Sequence, residues 1–419
     1  MSLPRSHGHP WRVLTILALI NFVNYVDREV IYALVPLIQA EFALTYAQVG
    51  LLGTVFSLFH AAFTLPLGML ADRTSRKKVI SYGVLFWSLM TFLSGLVATY
   101  RSLLGVRALV GVGEAAYSPA AAAIITGSFA RRLRARVQGM FDLGMFVGGA
   151  AGLALGGLLG GWVGWRPAFF IVGVPGLILA LSVLRLPEPP VKHDHKNPVP
   201  LTRLLRVPAY RMVLVAGGFI TFAGWSYIFW GTTFVHEYKG FDLGEAGVIL
   251  GLTLVVAGAL GISTGAALAD RLARRFPWGR VVVISLGFLI SAPILYGAFH
   301  AQSKGVFLVL FFCGCFFMTW YHGPLTATLH DLTPPHAHAT AVGLYYFFVN
   351  LSATPWAPLV VGKVADHYDL HTGLHVALAA QVIGALGFLL VIYFIRRDGL
   401  RHPALAEFQA MEAPSPGES

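Results

Sequence analysis

The sequence has few cysteines and few charged residues. Its 419 residues include two cysteines, Cys313 and Cys315, and 12% are charged against 56% hydrophobic. A soluble protein carries about 25% charged residues, so this composition indicates an integral membrane protein. The two cysteines are two positions apart in one apolar run and point to different faces of a helix, which excludes a disulfide framework and a cysteine metal site.

Acidic residues are also scarce, with 19 Asp and Glu against 30 Lys and Arg. The basic excess lies in short loops between apolar runs, which is the positive-inside pattern of membrane proteins and excludes a nucleic-acid-binding surface. If the N-terminus is inside, basic residues concentrate at 73–78, 131–136 and 271–280 on the same side. We therefore expect a multi-pass protein of the cell (inner or plasma) membrane with both termini in the cytoplasm.

Twelve apolar runs are long enough to cross a bilayer, which needs about 20 residues each. They lie at roughly 13–38, 48–71, 79–99, 102–127, 137–160, 166–186, 210–236, 244–270, 279–299, 305–331, 339–363 and 373–397. The break between the sixth and seventh runs is rich in proline and charge and predicts a linker. We expect an N-terminal six-helix bundle (1–186), a cytoplasmic linker (187–210), a C-terminal six-helix bundle (211–397) and a cytoplasmic tail (398–419).

The two halves repeat each other. GMLADRTSRKK at 68–78 follows the second run, and AALADRLARRF at 266–276 follows the eighth, so that Asp72 and Asp270 match at a separation of 198 residues. Gly53 and Gly251 match at the same separation. Parallel repeats of six helices predict an all-α protein of two pseudo-symmetric bundles.

The first run carries Asp27, Arg28 and Glu29 at its middle. Its apolar residues favour insertion by about 5–9 kcal/mol, and three central charges oppose insertion by about 8–10 kcal/mol. Because the two sums nearly cancel, this helix is stable only if other helices pair its charges or water hydrates them. Intramembrane charges of this kind indicate a substrate or proton pathway.

Several motifs resemble known transporter families. GMLADRTSRKK resembles the loop motif G-x-L-A-D-R-x-G-R-[KR]-x of the major facilitator superfamily, with Ser75 at the second glycine. NYVDR at 24–28, RALVGVGEAAYSP at 107–119, GWRPAF at 164–169 and LPEPP at 186–190 together resemble the spinster family, which exports lysolipids and sphingosine phosphates. NYVDR and GEAAYSPA also resemble the anion:cation symporters, which carry organic acids. The resemblance implies the twelve-helix major facilitator fold, with helices one and four lining a central cavity.

Carboxyl groups on two of these helices should lie near the midplane of the membrane. Asp27 is about 21 Å into the first helix, and Glu114 is about 18 Å into the fourth, which runs the other way. With Arg28, Arg107 and Tyr117 they form our predicted substrate and proton site, in which the carboxylates exchange protons and the arginines hold an anionic headgroup. The alternative is a purely structural ion-pair cluster that stabilises the first bundle.

A second predicted site is a cytoplasmic gate. Asp72 ends the second run, where it can accept hydrogen bonds from a neighbouring helix N-terminus or from an arginine near Arg136. Such a contact would close the cytoplasmic side and break for inward opening. The predicted gate residues are Asp72, Arg73, Arg76, Arg136, Asp270 and Arg271.

The seventh and tenth runs are aromatic and have no basic residue at mid-span. A cavity between the halves would therefore be charged on one wall and aromatic on the other, which suits an amphiphile with an anionic or zwitterionic head. The alternative is ordinary packing against lipid and core. The predicted wall residues are Trp225, Trp230, Trp320 and Tyr321.

These observations predict a proton-coupled secondary active transporter that works by alternating access on a lysolipid-like or other amphiphilic substrate. The alternative is a transporter of a small organic acid. We found no nucleophile–base pair or metal-ligand spacing, so we expect neither an enzyme nor a cofactor or metal. The expected partners are a small amphiphilic or anionic substrate, protons and membrane lipids, without nucleic acid, and the expected state is a monomer.

Overall fold

A computed structural model describes residues 10–130, 133–187, 201–334 and 337–398, which are α-helical and joined by short connections. The chain divides into two compact units. Unit 1 consists of Met1–Asp194, Ile228–Val255 and Pro358–Leu370, and unit 2 consists of His195–Tyr227, Val256–Ala357 and His371–Ser419. Residues 188–200 of the predicted linker (187–210) and residues 399–419 of the predicted tail (398–419) lie outside the described residues.

Helices coincide with all twelve predicted apolar runs. In the first half they are α1 Pro10–Phe42, α2 Tyr46–Arg73, α3 Arg76–Ser94, α4 Tyr100–Ala115, α5 Ser118–Ser128, α6 Arg134–Val163 and α7 Trp165–Val183. In the second half they are α8 Leu201–Leu204, α9 Pro208–Lys239, α10 Leu243–Ala273, α11 Gly279–His300, α12 Lys304–Met318, α13 His322–Asp331, α14 His338–Ser352, α15 Trp356–His367 and α16 Leu370–Asp398. A 3₁₀ turn, Thr319–Tyr321, joins α12 to α13.

Three of the predicted runs are each two helices rather than one. The breaks separate α4 from α5, α12 from α13, and α14 from α15. Each break lies within about one turn before a proline, namely Pro119, Pro324 or Pro355. Proline has no N–H to donate and restricts the residue before it, which favours a break at that point. Pro36 lies inside the continuous helix α1, so a proline permits the break without requiring it.

Polar side chains cap the starts of several helices. Thr45 and Thr99 each form a capping box at the starts of α2 and α4. Ser75 caps α3 by accepting a hydrogen bond from the backbone N–H of Lys78. The serine that replaces the usual second glycine of the loop motif therefore satisfies one of the N–H groups that a helix start leaves open.

Nine helical segments of the described residues are long and apolar enough to cross a membrane by length and composition. Helix α1 is not among them, and it carries Asp27, Arg28 and Glu29 at its middle. Each unit has its own apolar core. In unit 1 the core includes Trp87, and in unit 2 it includes Tyr345.

Helices α1 and α6 pack closely along a stripe of glycines. A Cβ atom on Gly152 would lie 2.9 Å from the carbonyl oxygen of Val26, and one on Gly156 would lie 2.7 Å from that of Val30. Gly144 continues the stripe two turns earlier, against the carbonyl oxygen of Ala18. Small residues at four-residue spacing let helix backbones approach closely in a membrane. This packing holds α6 against the charged middle of α1.

We expect Gly156→Val to destabilise the protein, because its side chain would overlap the backbone of α1. Overpacking of this kind costs about 1–3 kcal/mol. Gly161→Val is the matched control on the same helix, since nothing lies within 4 Å of a Cβ there. Thermal unfolding of the purified variants tests this, and equal stability of the two would contradict a tight α1–α6 contact.

Candidate functional site

Five charged side chains are buried together in unit 1. Asp27, Arg28 and Glu29 on α1 have exposures of 0%, 9% and 4%, and Arg107 and Glu114 on α4 are each 1% exposed. Charged residues are almost never buried unless they are paired. The hydrogen bonds within this cluster therefore show which of these charges are paired with each other.

Arg28 and Glu114 form a buried ion pair. Nε and Nη2 of Arg28 lie 3.0 and 2.7 Å from Oε2 of Glu114. The guanidinium also lies over the rings of Tyr25 and Phe56, at 4.8 and 5.2 Å from their centroids. Its Nη2 is 3.4 Å from Nε2 of His60. This pair joins α1 to α4 and offsets the cost of burying the two charges.

Asp27 is bonded to a tryptophan rather than to an arginine. The indole N–H of Trp87 on α3 donates to Oδ2 of Asp27 at 3.1 Å. Within the described residues, Oδ1 has no hydrogen-bond partner. Trp87 was not among the predicted site residues, because a tryptophan in an apolar run has no sequence signal that separates a donor from a core residue.

Arg107 is a buried cation without a hydrogen-bonded partner. Among the described residues, none of its three guanidinium nitrogens makes a hydrogen bond. Its Cζ lies 5.0 Å from the centroid of the Phe56 ring, and the charges of Glu114 and Asp27 act on it. A buried polar group that is unsatisfied in a native structure requires an explanation.

Glu29 points to a different neighbour from the other charges. A Cβ on Gly152 of α6 would lie 2.9 Å from the Cβ of Glu29, and one on Gly149 would lie 3.6 Å from its Cγ. The carboxyl is buried against α6, and its Oε2 has no partner in the described part of the chain. The sequence-based site left out Glu29, since its position on the helix is about 200° from Asp27.

Tyr117 is fixed to α1 beside this cluster. Its hydroxyl donates to the carbonyl oxygen of Leu17. Its ring packs on that of Trp87, with centroids 5.8 Å apart. Tyr117 therefore packs on the tryptophan that bonds Asp27.

The predicted gate residues of unit 1 lie at the end of α2. Oδ1 of Asp72 is 2.8 Å from Nη2 of Arg76, and the Asp72 side chain is 61% exposed. Arg73 and Arg136 are also exposed. Among the described residues, Asp72 thus forms an ion pair with Arg76, four residues along the chain.

In unit 2 the corresponding helix end has a different pairing. Arg280 lies 3.9 Å from Asp270 and also bonds Asp331 at the end of α13. Arg271 is exposed. Arg280 was predicted only to contribute to topology and Asp331 was not predicted at all, because their contact joins residues that are 51 positions apart in the sequence.

The predicted aromatic residues are divided between the two units. Trp230 belongs to unit 1, where it is fully buried and its indole N–H donates to the carbonyl oxygen of Pro358 at 3.1 Å. Trp225, Trp320 and Tyr321 belong to unit 2. Trp320 is 9% exposed, and the other two are half-buried.

The GWRPAF motif organises the far end of α1. Two residues of the motif donate hydrogen bonds to the carboxylate of Glu41, which lies near the end of α1. Nη2 of Arg166 and Nε1 of Trp165 each lie 2.6 Å from a carboxylate oxygen of Glu41. Arg166 also donates to the carbonyl oxygens of Gly95 and Val97. The motif thus joins α1, the end of α3 and α7 through one charged residue.

An acidic residue from the second half of the sequence caps α2. Asp366 on α15 accepts from the backbone N–H groups of Tyr46 and Ala47, at 2.6 and 3.0 Å. Glu237 on α9 accepts from the Tyr46 hydroxyl at 2.8 Å. All of these residues belong to unit 1. A carboxylate at a helix N-terminus is favourable because it meets the positive end of the helix dipole.

We expect Glu114→Gln to destabilise the protein strongly, because it leaves Arg28 buried without its counter-charge. Removing one partner of a buried pair costs about 3–5 kcal/mol. The matched control is Asp72→Asn, which breaks an exposed pair worth about 0–1 kcal/mol. Thermal unfolding of both variants distinguishes the two cases, and a similar small loss in each would contradict the structural role of the Arg28–Glu114 pair.

Comparison with known proteins identifies the family. Residues 17–358 match the Major Facilitator Superfamily. The chain is 31% identical to an MFS-type efflux pump of Mycolicibacterium smegmatis, over 94% of this chain and 95% of that protein. It is 25% identical to protein spinster of Drosophila melanogaster, over 86% of this chain and 63% of that protein.

A solved structure has the same fold. It is the crystal structure of a bacterial homolog of the human lysosomal transporter spinster in an inward-facing, occupied conformation. It superposes with a TM-score of 0.85 and 26% identity, covering 93% of this chain and 99% of that one. The predicted family and fold class are confirmed: the chain belongs to the Major Facilitator Superfamily and is a spinster-like membrane transporter.

Proposed function

We propose that this transporter moves a lysolipid-like or other amphiphilic substrate with an anionic or zwitterionic head, and that protons drive the movement. The observation that carries this proposal is Arg107, a guanidinium buried in unit 1 that has no hydrogen-bonded partner among the described residues. The proposed substrate head binds there. The two arginines then have different tasks, since Arg28 is bonded to Glu114 and Arg107 receives the ligand.

The chemistry of arginine explains why the ligand is an anion. A guanidinium keeps its charge at every physiological pH and offers five N–H donors in a planar fork. Phosphate and carboxylate groups accept two of these bonds side by side. Leaving a buried charged donor unsatisfied costs about 1–3 kcal/mol or more, which a bound anionic head would offset.

Asp27 is the proposed proton site. It is fully buried, and its described hydrogen-bond partner is the neutral indole of Trp87 rather than a cation. A buried carboxyl without a bonded counter-ion is able to gain and lose a proton as its surroundings change. A proton on Asp27 and an anion at Arg107 alter the charge of the cluster in opposite directions, so the binding of each is linked to the other.

The amphiphilic class of the substrate has two supports. The resemblance to the spinster family implies a lysolipid-like substrate, and the relatives found include a protein named spinster. The second support is the aromatic character of unit 2. Trp225 lies on α9, and Trp320 and Tyr321 lie in the 3₁₀ turn that follows α12. An amphiphile needs apolar surface for its tail, and aromatic side chains supply large apolar area.

Alternating access would use contacts at the two ends of α2. We propose that Asp72 and Arg76, with Arg73, Arg136, Asp270 and Arg271, form the gate on the cytoplasmic side, where both chain termini lie. Asp366 and Glu237 bind the opposite end of α2. The 28 residues of α2 make it about 42 Å long, so Asp72 lies at one end of this helix and the groups bound by Asp366 and Glu237 lie at the other. In the proposed cycle one set breaks while the other is formed.

A small organic acid is the second candidate substrate. The Arg107 site would bind any carboxylate, and NYVDR also resembles the anion:cation symporters. The two candidate substrates differ in their apolar part, because a small organic acid has no acyl tail. Competition between a lysophosphatidate and a short dicarboxylate for the purified transporter decides between them, since only the first has an acyl chain.

We expect Arg107→Met to weaken binding of a fluorescent lysophosphatidate about 10- to 100-fold, which corresponds to the loss of about 1.5–3 kcal/mol of charge-assisted hydrogen bonds. Arg107→Lys should give an intermediate loss, because it keeps the charge but not the planar fork. Arg101→Met, at an exposed position near the start of α4, is the matched control and should bind normally.

Thermal stability separates this role from a structural one. The guanidinium of Arg107 makes no hydrogen bond with the described residues, so its removal takes no hydrogen bond away from them. The Arg107→Met variant should therefore have a melting temperature equal to or higher than that of the parent protein. A variant that is less stable but binds normally in its folded fraction would show that Arg107 only stabilises the fold.

We expect Asp27→Asn to lose uptake driven by a pH gradient in proteoliposomes while it still exchanges or binds substrate. The amide keeps the shape of the carboxyl and the hydrogen bond from Trp87, but it cannot take up the coupling proton. Asp142→Asn is the control, since this half-buried residue of α6 accepts a hydrogen bond from Gln138 on the same helix. Normal pH-driven uptake by Asp27→Asn would remove Asp27 from the proton pathway.

A further inference from the structure

Three histidines meet in unit 2, where α11 ends and α16 begins. His300 is the last residue of α11, and His371 and His375 lie in the first two turns of α16. One possible ligand atom from each residue lies within 4.8 Å of the others. The ring centroid of His371 lies 4.6 Å from that of His300 and 4.6 Å from that of His375.

The arrangement follows from helix geometry. His371 and His375 are four residues apart and therefore project from the same face of α16. Two histidines at this spacing on one helix face are a common metal-binding pair. The end of α11 adds the third, and the ring centroids of His300 and His375 are 5.2 Å apart.

Backbone carbonyls orient two of the three rings. Nδ1 of His300 lies 2.9 Å from the carbonyl oxygen of Tyr296, and Nε2 of His371 lies 3.2 Å from that of Phe299. In metal sites the ligating histidine almost always gives its other N–H to a carbonyl, a carboxylate or water, which sets the tautomer of the ring. The ring of Tyr296 packs against that of His300, with centroids 4.2 Å apart.

We propose that His300, His371 and His375 bind a divalent transition-metal ion, for which Zn²⁺ is the probe. Neutral imidazoles suit Zn²⁺, Cu²⁺ and Ni²⁺, whereas Ca²⁺ and Mg²⁺ prefer oxygen ligands. His300 is exposed and the other two are half-buried, so an ion reaches the site from the surface. A fourth position stays open to water, as in sites with three protein ligands.

The distances require only small side-chain movements. Zn–N bonds of about 2.0–2.1 Å in a tetrahedral site place the nitrogens about 3.3 Å apart. The present ligand atoms all lie within 4.8 Å of one another, so rotation of the rings by up to roughly 1.5 Å at the nitrogens completes the site. The bound ion would join α11 to α16 at the end of unit 2 that the sequence predicts to face away from the cytoplasm.

This proposal revises the expectation from the sequence that the protein has no metal site. His371 and His375 have a metal-ligand spacing, but two histidines do not complete a site. The third, His300, precedes His371 by 71 residues, and the packing of α11 on α16 brings it near. The proposal stands apart from the proposed substrate, because none of its three residues belongs to the charged cluster of unit 1.

The test uses the full-length protein purified without a polyhistidine tag and treated with a chelator. We expect calorimetric titration to show one Zn²⁺ per chain and the melting temperature to rise when Zn²⁺ is added. His371→Ala and His375→Ala should each weaken Zn²⁺ binding at least tenfold. His367→Ala is the control, an exposed histidine whose Nδ1 lies near the carbonyl oxygen of Lys363, and it should bind Zn²⁺ as the parent does.

Two further variants keep the test decisive. His300→Gln changes the exposed ligand, so it weakens Zn²⁺ binding even if changes on α16 impair folding. His193→Ala with His195→Ala removes the histidines of the 188–200 segment and should leave Zn²⁺ binding unchanged. Any one of three results would overturn the proposal. The parent protein does not bind Zn²⁺, the His300→Gln variant binds Zn²⁺ as tightly as the parent, or the variant with His193→Ala and His195→Ala no longer binds it.

Discussion

The cost of burying charge is the constraint on which the first unit depends. Asp27, Arg28 and Glu29 lie in the buried middle of helix α1. An isolated charge at such a position would oppose folding by several kcal/mol. The Arg28–Glu114 pair removes much of that cost by joining α1 to α4. The glycines of α6 let its backbone pack directly against another face of α1, which leaves little room between the two helices. The fold of unit 1 is therefore arranged around its charges.

The same constraint separates the charges that are paired in the structure from those that we propose bind the substrate and the proton. Arg28 and Glu114 neutralise each other, whereas Arg107 has no described hydrogen-bonded partner and Asp27 is bonded by an indole. A transporter needs groups whose partners change during its cycle, and two charges that are already bonded to each other are poorly suited to that task. A guanidinium and a carboxyl that lie near each other but are not bonded together can accept a substrate anion and a proton in turn.

Sequence reasoning predicted the helices well and their contacts only in part. Twelve apolar runs of about 20 residues each predicted the helical segments, because the thickness of a bilayer fixes that length. The breaks after α4, α12 and α14 were not predicted, since prolines such as Pro36 also occur inside continuous helices. Asp27, Arg28, Arg107 and Glu114 were found because charge within an apolar run is rare. Trp87 was not found, because a tryptophan there is ordinary.

The sequence by itself determined the class of protein, the repeat of its halves and the family, because hydropathy, charge bias and the loop motif are local properties of the chain. Only the tertiary structure decided which groups are bonded. Asp72 pairs with Arg76, Arg280 contacts both Asp270 and Asp331, and Glu41 binds Arg166. A hydrogen bond is sensitive to a few tenths of an ångström in the distance between donor and acceptor. Contacts such as Arg280–Asp331 and Glu41–Arg166 join residues that are far apart in sequence, so these distances are set only when the helices have packed.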